Sequence, residues 1–216
     1  MSTLTLPLPF LAAASRPLTA VGPTDAAGEV RAVSESGEAA WLDSARGGDS
    51  EAFGRLVALH ADRVYETVLR ILRSREAAEE VAQDAFVRAW QALPSFRGDS
   101  RFSTWLYTIA TRRALDVARS EKRRRDRVET VESATLERAP AAGGREPAEL
   151  RRLERILTEL EPVRRAVITL HYLRDFPVTE VAEILDLPEG TVKTHLYRAR
   201  AALRAAWERE ASRELL

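Results

Sequence analysis

The sequence predicts an all-α protein made of two small helical domains joined by a flexible linker. Three observations support this prediction. The good helix formers Ala, Arg, Glu and Leu dominate the composition, and β-branched runs are short. Apolar residues recur every three or four positions in two long segments, as on one face of a helix. Between these segments, residues 126–148 lose the period and gain Pro, Gly and Ala, which is typical of a linker.

The composition limits the classes of function. The 216 residues are 45% hydrophobic and 31% charged, with a net charge of +0, so a nucleic-acid site would need a local basic patch balanced by acid elsewhere. The chain has no Cys, which excludes a disulfide framework and a thiolate metal site. His60, His171 and His195 lie too far apart in sequence to form a ligand-spaced pair. We therefore expect no cofactor and no metal.

The sequence also indicates where the protein works. It contains no run of about 18 apolar residues, which a membrane-spanning helix needs, so we expect no membrane insertion. The N-terminus lacks the basic start of a signal peptide, and Pro7 and Pro9 interrupt its apolar stretch. We expect a cytoplasmic protein in which residues 1–38, rich in Ala, Pro, Gly, Ser and Thr, form a disordered extension.

The first predicted domain covers residues 39–125. After Gly47-Gly48, Asp49 or Ser50 is suited to cap a helix. Ser74 begins the next helix, whose exposed side is acidic from Glu76 to Asp84. Composition alone favours a merely solvated acidic face there, with charges that suit a helix N-terminus.

Pro94 ends that helix, and the loop Ser95–Arg101 leads into a basic helix from about Ser103. Phe102 and Trp105 stand at the start of this helix. Aromatic rings beside cations suit a nucleic-acid strand, because rings stack on bases while cations hold phosphates. The alternative is that at least one of these rings belongs to the core.

The second predicted domain covers residues 149–213. A helix over 149–160 and another from Pro162 precede two helices within Val178–Arg204, which the turn Asp186–Pro188 separates. The apolar stripe of the last helix consists of Val192, Leu196, Ala199 and Leu203, and its outward residues are Gly190, Thr191, Thr194, Tyr197 and Arg198. No acid occurs between Thr191 and Arg204. This pattern is typical of a recognition helix in a DNA major groove, although an ordinary hairpin with a solvated basic face is the alternative.

Two long segments resemble a known family. Residues 78–119 resemble region 2, and residues 157–204 resemble region 4, of bacterial RNA polymerase sigma factors of the extracytoplasmic-function (ECF) group of the sigma-70 family. The resemblance implies a region 2 helical bundle at 39–125 and a region 4 helix-turn-helix at 149–213. It also implies a protein that is not an enzyme, binds core RNA polymerase, recognises promoter −35 and −10 elements, and promotes DNA melting.

The resemblance further assigns three sets of residues. Core polymerase binding falls on Glu79, Glu80, Gln83, Asp84, Phe86 and Trp90. Contacts to the −10 element and its melting, including capture of a flipped base by the loop, fall on Phe96, Arg97, Ser100, Arg101, Trp105, Thr108, Arg112 and Arg113. Contacts to the −35 element fall on Glu189, Gly190, Thr191, Lys193, Thr194, His195 and Arg198.

The partners implied by the resemblance are promoter DNA, an anti-sigma factor and core polymerase, whose β′ clamp helices meet region 2 and whose β flap meets region 4. Two positions depart from the family pattern. Arg112 stands where many relatives have Asn, and His195 stands where Arg is common. A neutral His would make a phosphate contact weaker or pH-sensitive.

Two other functions are compatible with parts of the pattern. A stand-alone helix-turn-helix regulator would bind an operator without polymerase, as a dimer on a palindrome. A nucleic-acid enzyme such as a nuclease would need a carboxylate or His cluster to hold metal. The scattered His residues and the solvent-type acids offer no such cluster.

Overall fold

The computed structural model describes residues 27–128 and 160–213, and within them it is entirely helical. The all-α prediction is therefore confirmed. The helices are α1 (Ala27–Arg46), α2 (Ser50–Leu72), α3 (Arg75–Ala92), α4 (Phe102–Val128), α5 (Pro162–Ile168), α6 (Val178–Leu185) and α7 (Glu189–Arg213). A 3₁₀ turn, Leu93–Ser95, follows α3, and a π-helical turn, Thr169–Leu173, follows α5.

The predicted domain boundaries are not tested by these helices and stay a prediction. The expected helix at 149–160 and most of the expected linker at 126–148 lie outside the described residues, as does most of the expected N-terminal extension. Helix α1 nevertheless begins at Ala27, ahead of Ala39, where the apolar period starts. Its first turns contain Ala, Glu and Arg, so helix propensity accounts for them without an apolar stripe.

Local signals for helix ends are confirmed at two junctions. The Asp49 carboxylate accepts hydrogen bonds from the backbone N–H groups of Glu51 and Ala52, at 2.9 and 3.1 Å, so Asp49 caps α2. The Ser74 hydroxyl accepts one from the N–H of Ala77, at 3.2 Å, at the start of α3. These caps occupy donors that the first helical turn leaves unpaired.

The chain divides into two compact units. Among the described residues, the first comprises 27–63 and 87–99, and the second comprises 64–86, 100–128 and 160–213. The core of the first unit includes buried Phe53, Leu56 and Leu93, and the Phe53 and Trp90 rings lie 5.0 Å apart. Helices α2 and α3 each begin in one unit and end in the other.

The second unit contains the predicted helix-turn-helix. Helix α6 ends at Asp186, which adopts a left-handed conformation with φ 55° and ψ 50°. The N–H of Leu187 donates to the carbonyl of Ala182 at 3.0 Å, which closes the end of the helix. The carbonyl of Pro188 then accepts from the N–H groups of Thr191 and Val192, which starts α7. A tight turn of three residues, Asp186–Pro188, therefore joins α6 and α7, as predicted.

The second unit buries the apolar residues that hold these helices. They are Val64, Val68, Ile71, Leu106, Val167, Leu170, Val181, Ile184 and Val192, all at or near zero exposure. Among the described residues, no helix combines the length and the apolar character that crossing a membrane requires.

Candidate nucleic-acid interface

Helix α7 has the two faces that the sequence predicts. Val192, Leu196 and Ala199 are buried, while the side chain of Leu203 lies outside the described residues. On the partner helix α6, Val181 and Leu185 are also buried. Burial of this stripe fixes the rotation of α7, because the helix turns 100° per residue and its opposite face must then point outward.

The outward face of α7 is polar and basic. Gly190, Lys193, Thr194 and Arg198 are exposed, and Thr191 is half-buried. Tyr197 is 70% exposed, although the resemblance assigned it no role. The helical period of the sequence already predicted that Tyr197 points outward. That position in the helix was the signal that could have identified Tyr197 as a site residue. A phenol ring on this face offers both an apolar surface and a hydroxyl.

Two pairs of residues make side-chain contacts within the first turns of α7. The Thr194 hydroxyl donates to the carbonyl of Gly190 at 2.8 Å, and Lys193 Nζ lies 3.2 Å from the Glu189 carboxylate. Glu189 is in the first turn, where a negative charge is favourable. Among the described residues Arg198 makes no ion pair, which leaves its guanidinium available for a phosphate.

His195 lies on the flank of this face and is half-buried. Burial lowers the pKa of His195, and the nearby positive charges of Arg164 and Arg198 lower it further. Its buried Nδ1 has no hydrogen-bond partner among the described residues. The imidazole is therefore neutral at pH 7 and does not supply the positive charge that Arg would supply at this position.

In the first unit, the loop after α3 contains Phe96. Its ring is buried, with 6% exposure, and its N–H donates to the carbonyl of Leu93 at 3.0 Å. The hydrophobic effect holds this ring in the core, and its capture of a flipped base stays a prediction. Arg97 is exposed, and Gly98 has φ 81°, a left-handed conformation that glycine adopts without strain.

In the second unit, the predicted −10 residues begin with Ser100 and Arg101. Arg101 is exposed, and the Ser100 hydroxyl lies 3.5 Å from the Arg101 carbonyl. Phe102 is buried, so the core alternative holds for this ring. Trp105 is half-buried, with its ring 5.8 Å from that of Phe102. The Trp105 side chain is thus partly accessible.

Helix α4 carries a ridge of three side chains four residues apart, Thr104, Thr108 and Arg112, which we call the α4 ridge. Thr104 is buried, Thr108 is half-buried and donates its hydroxyl to the Thr104 carbonyl at 2.9 Å, and Arg112 is exposed. The two predicted −10 residues Thr108 and Arg112 therefore share one face of α4.

The residues predicted to bind polymerase differ in their exposure to solvent. Glu79, Glu80 and Gln83 on α3 are exposed. Asp84 instead pairs with Arg113 of α4 at 2.8 Å. Arg113 was predicted as a DNA contact, so the structure brings together one residue from each predicted set.

Two aromatic residues of the predicted polymerase-binding set are packed inside the protein. Phe86 is buried, with 4% exposure, because α3 turns this residue toward the core, and its role in polymerase binding stays a prediction. Trp90, in the first unit, is half-buried against Phe53. Among the described residues, no group of His, Cys, Asp or Glu could hold a metal ion.

Comparison with models of protein families shows to which class of protein this chain belongs. Residues 56–124 match the model of sigma-70 region 2, and residues 150–203 match the model of sigma-70 region 4. The matched segments contain α4 with its ridge and the helix-turn-helix of α6 and α7. The class is thus a sigma-70-type subunit of bacterial RNA polymerase.

Curated relatives narrow this class. The ECF RNA polymerase sigma factor SigW of Bacillus subtilis (strain 168) is 35% identical over 169 residues, which cover 73% of this chain and 89% of the relative. The ECF RNA polymerase sigma-E factor of Escherichia coli (strain K12) is 36% identical over 166 residues, covering 72% and 86%. The chain belongs to the ECF group of the sigma-70 family. It is a non-enzymatic subunit that directs promoter recognition by RNA polymerase.

Solved structures share the fold. The sigma factor RpoE of Bartonella quintana, in complex with the anti-sigma factor NepR, is 24% identical with a TM-score of 0.60, covering 72% of this chain and 96% of that one. CnrH, in complex with the cytosolic domain of CnrY, is 26% identical with a TM-score of 0.58, covering 80% and 97%.

Proposed function

We propose that α7 reads the −35 promoter element in the major groove. The observation that carries this proposal is the exposed, basic face opposite the buried stripe of Val192, Leu196 and Ala199. In this proposal the N-terminal turns of α7, with Gly190 and Thr194, approach base edges. Lys193 and Arg198 contact phosphates, which adds affinity without sequence preference.

The loop before α4 and the outer face of α4 act on the −10 element. Arg97 and Arg101 are exposed cations that can hold the strand backbone, and the half-buried Trp105 ring can stack on an unpaired base. Phe96 supports this loop from within the first unit. Thr108 and Arg112 follow along the α4 ridge, where an Arg in place of Asn favours phosphate contact over base reading.

The acidic surface of α3 docks on core polymerase. Glu79, Glu80 and Gln83 are exposed and suit a basic partner surface, which we assign to the β′ clamp helices. Asp84 lies next to this surface on α3, where its carboxylate is neutralised by the ion pair with Arg113. Region 4 meets the β flap. A subunit that works on polymerase and promoter DNA acts in the cytoplasm.

An anti-sigma factor is a further partner in this proposal. The solved relatives were captured with protein partners, one with the anti-sigma factor NepR and one with the cytosolic domain of CnrY. Their fold covers most of this chain, so an inhibitory protein of the same kind could engage it. The partner remains to be isolated by co-purification with the full chain.

Run-off transcription tests the function. Core RNA polymerase, the full chain and a promoter found by selection with the reconstituted enzyme should give a discrete transcript, while core alone stays inactive on that template. The stand-alone regulator predicts the opposite, namely operator binding that needs no polymerase. Absence of initiation from every selected promoter would overturn the proposal.

A further inference from the structure

Arg164 lies on the side of α5 that packs against α7. Leu160, which precedes α5, and Ile168, which ends it, are buried together with Ala199 of α7 in one apolar cluster. Arg164 stands midway between Leu160 and Ile168, four residues from each. Because residues four apart on a helix share a face, the Arg164 side chain starts from the face of α5 that meets α7.

Two side chains of α7 lie near the Arg164 guanidinium. His195 is half-buried and lies one helical turn before Ala199. The positive charges of Arg164 and Arg198 both lower the pKa of His195, so the three side chains are close enough to interact electrostatically. Helices α5 and α7 thus bring two cations and a neutral imidazole to one flank of the basic face of α7.

The charge of Arg164 is only weakly offset by an acid. Its Nη2 lies 3.6 Å from the carboxylate of Glu161, which is the only acid paired with Arg164 among the described residues. The Glu161 side chain is 65% exposed, and an ion pair of this kind in solvent contributes little to stability. The Arg164 side chain is 28% exposed and therefore partly accessible. This flank of α7 consequently keeps a net positive charge.

We propose that Arg164 and Arg198 together hold a backbone phosphate of DNA beside the −35 element. Arg164 thereby supplies, from α5, the positive charge that the neutral His195 does not supply from α7. A guanidinium presents several N–H donors that match the oxygens of a phosphate. The contact adds affinity without sequence preference, because phosphates are the same at every base pair. This inference rests on the proposed −35 role of α7.

The salt dependence of promoter binding tests the inference. Holoenzyme reconstituted from core polymerase and the full chain is titrated onto a selected promoter fragment at several salt concentrations. Arg164→Gln should weaken binding about three- to tenfold and lower the slope of log K against log salt by about 1. Arg55→Gln is the matched control, because it removes the same charge from an exposed pair with Glu51 in the first unit, and it should change neither quantity. An unchanged salt slope for Arg164→Gln overturns the proposal.

Replacing Glu161 separates a phosphate contact from an ion pair that only supports the fold. If the pair only held α5 in place, loss of either partner would weaken promoter binding. In a phosphate site, Glu161→Gln removes a negative charge beside the DNA, so affinity should instead rise about two- to threefold. The Glu161 side chain makes no capping bond to α5, so this variant keeps the proposal testable if Arg164→Gln folds poorly. An affinity of Glu161→Gln that falls or stays the same contradicts the proposal.

Failure of this inference is distinguishable from failure of the proposed function. The unmodified chain is assayed by run-off transcription in parallel, and absence of initiation there would refute the proposed function. A salt slope that falls for Arg198→Ala but not for Arg164→Gln would leave α7 as the −35 reader and overturn only the contact of Arg164. Loss of run-off in Arg164→Gln with unchanged promoter affinity would indicate a protein contact instead and would also overturn the inference.

Discussion

At the scale of single residues, the free face of α7 divides into contacts of different kinds. Arg198 is exposed and carries a full charge, whereas the neighbouring His195 is half-buried and neutral at pH 7. Thr194 is tied to its own helix by the bond to Gly190, which orients its methyl and hydroxyl groups. The residues of one surface therefore contribute differently to affinity and to base preference.

Replacing Arg198 should weaken promoter binding without changing promoter preference. A phosphate contact is independent of sequence, so Arg198→Ala should reduce affinity about three- to tenfold and lower the slope of log K against log salt by about 1. Titrations of the reconstituted enzyme at several salt concentrations measure both quantities. Arg204→Ala is the matched control, because Arg204 is exposed on the opposite flank of the same helix. An unchanged salt slope for Arg198→Ala would exclude the phosphate contact.

The lowered pKa of His195 predicts a pH dependence of stability. Between the folded-state pKa and the usual value of about 6.5, the unfolded chain binds a proton that the folded chain does not bind. The free energy of unfolding should therefore fall as the pH drops below about 6.5. In His195→Gln this component should be absent, because Gln does not titrate.

Urea unfolding of both proteins from pH 7.5 to 5.5 measures the difference. All other ionisable groups are the same in both chains, so subtracting the two curves isolates the contribution of His195. Identical pH profiles for the two proteins would show that His195 has an ordinary pKa.

At the scale of elements, α4 joins the two predicted activities of region 2. Arg113 on α4 pairs with Asp84 on α3, and the α4 ridge lies beside α6. The loop before α4 contains Phe96, which is buried in the first unit, and α4 begins with Phe102, which is buried in the second unit.

Loss of the Phe96 ring should impair promoter opening more than promoter binding. Phe96→Ala removes a buried anchor at a typical cost of about 3 kcal/mol in stability, and it loosens the loop that acts on the −10 strand. We expect closed-complex binding to persist and opening to slow about tenfold, equivalent to ~1.4 kcal/mol in the barrier.

Gel-shift titration and permanganate reactivity of the −10 thymines separate these two steps. Leu56→Ala is the matched control, since it deletes another buried side chain of the first unit. It should lower stability without a selective effect on opening. Normal permanganate reactivity in Phe96→Ala would rule out a role for this loop in melting.

At the scale of the whole molecule, the net charge is +0, but the positive and negative charges lie on different surfaces. The outward face of α7 is basic, and the exposed side of α3 is acidic. A chain with no net charge has little general attraction for DNA, so we expect its promoter binding to depend on polymerase.

The amino-acid sequence was sufficient for the helical fold, the helix caps and the two faces of α7. These features depend on local spacing, since a period of 3.6 residues decides which side chains share a face and which are buried. The long matched segments also carried the family relationship. Local spacing could not decide the environment of Phe96, because an aromatic residue in a loop can point either outward or inward.

Only the tertiary structure decided which distant residues meet. Arg165 binds the carbonyl of a residue 94 positions away, and Thr104 binds Glu180 across 76 positions. Such pairs depend on how several helices pack together, and no single helical period encodes them. For the same reason, local spacing placed α4 and α6 in separate parts of the chain, while the three-dimensional structure brings the Thr104 hydroxyl within 2.7 Å of the Glu180 carboxylate.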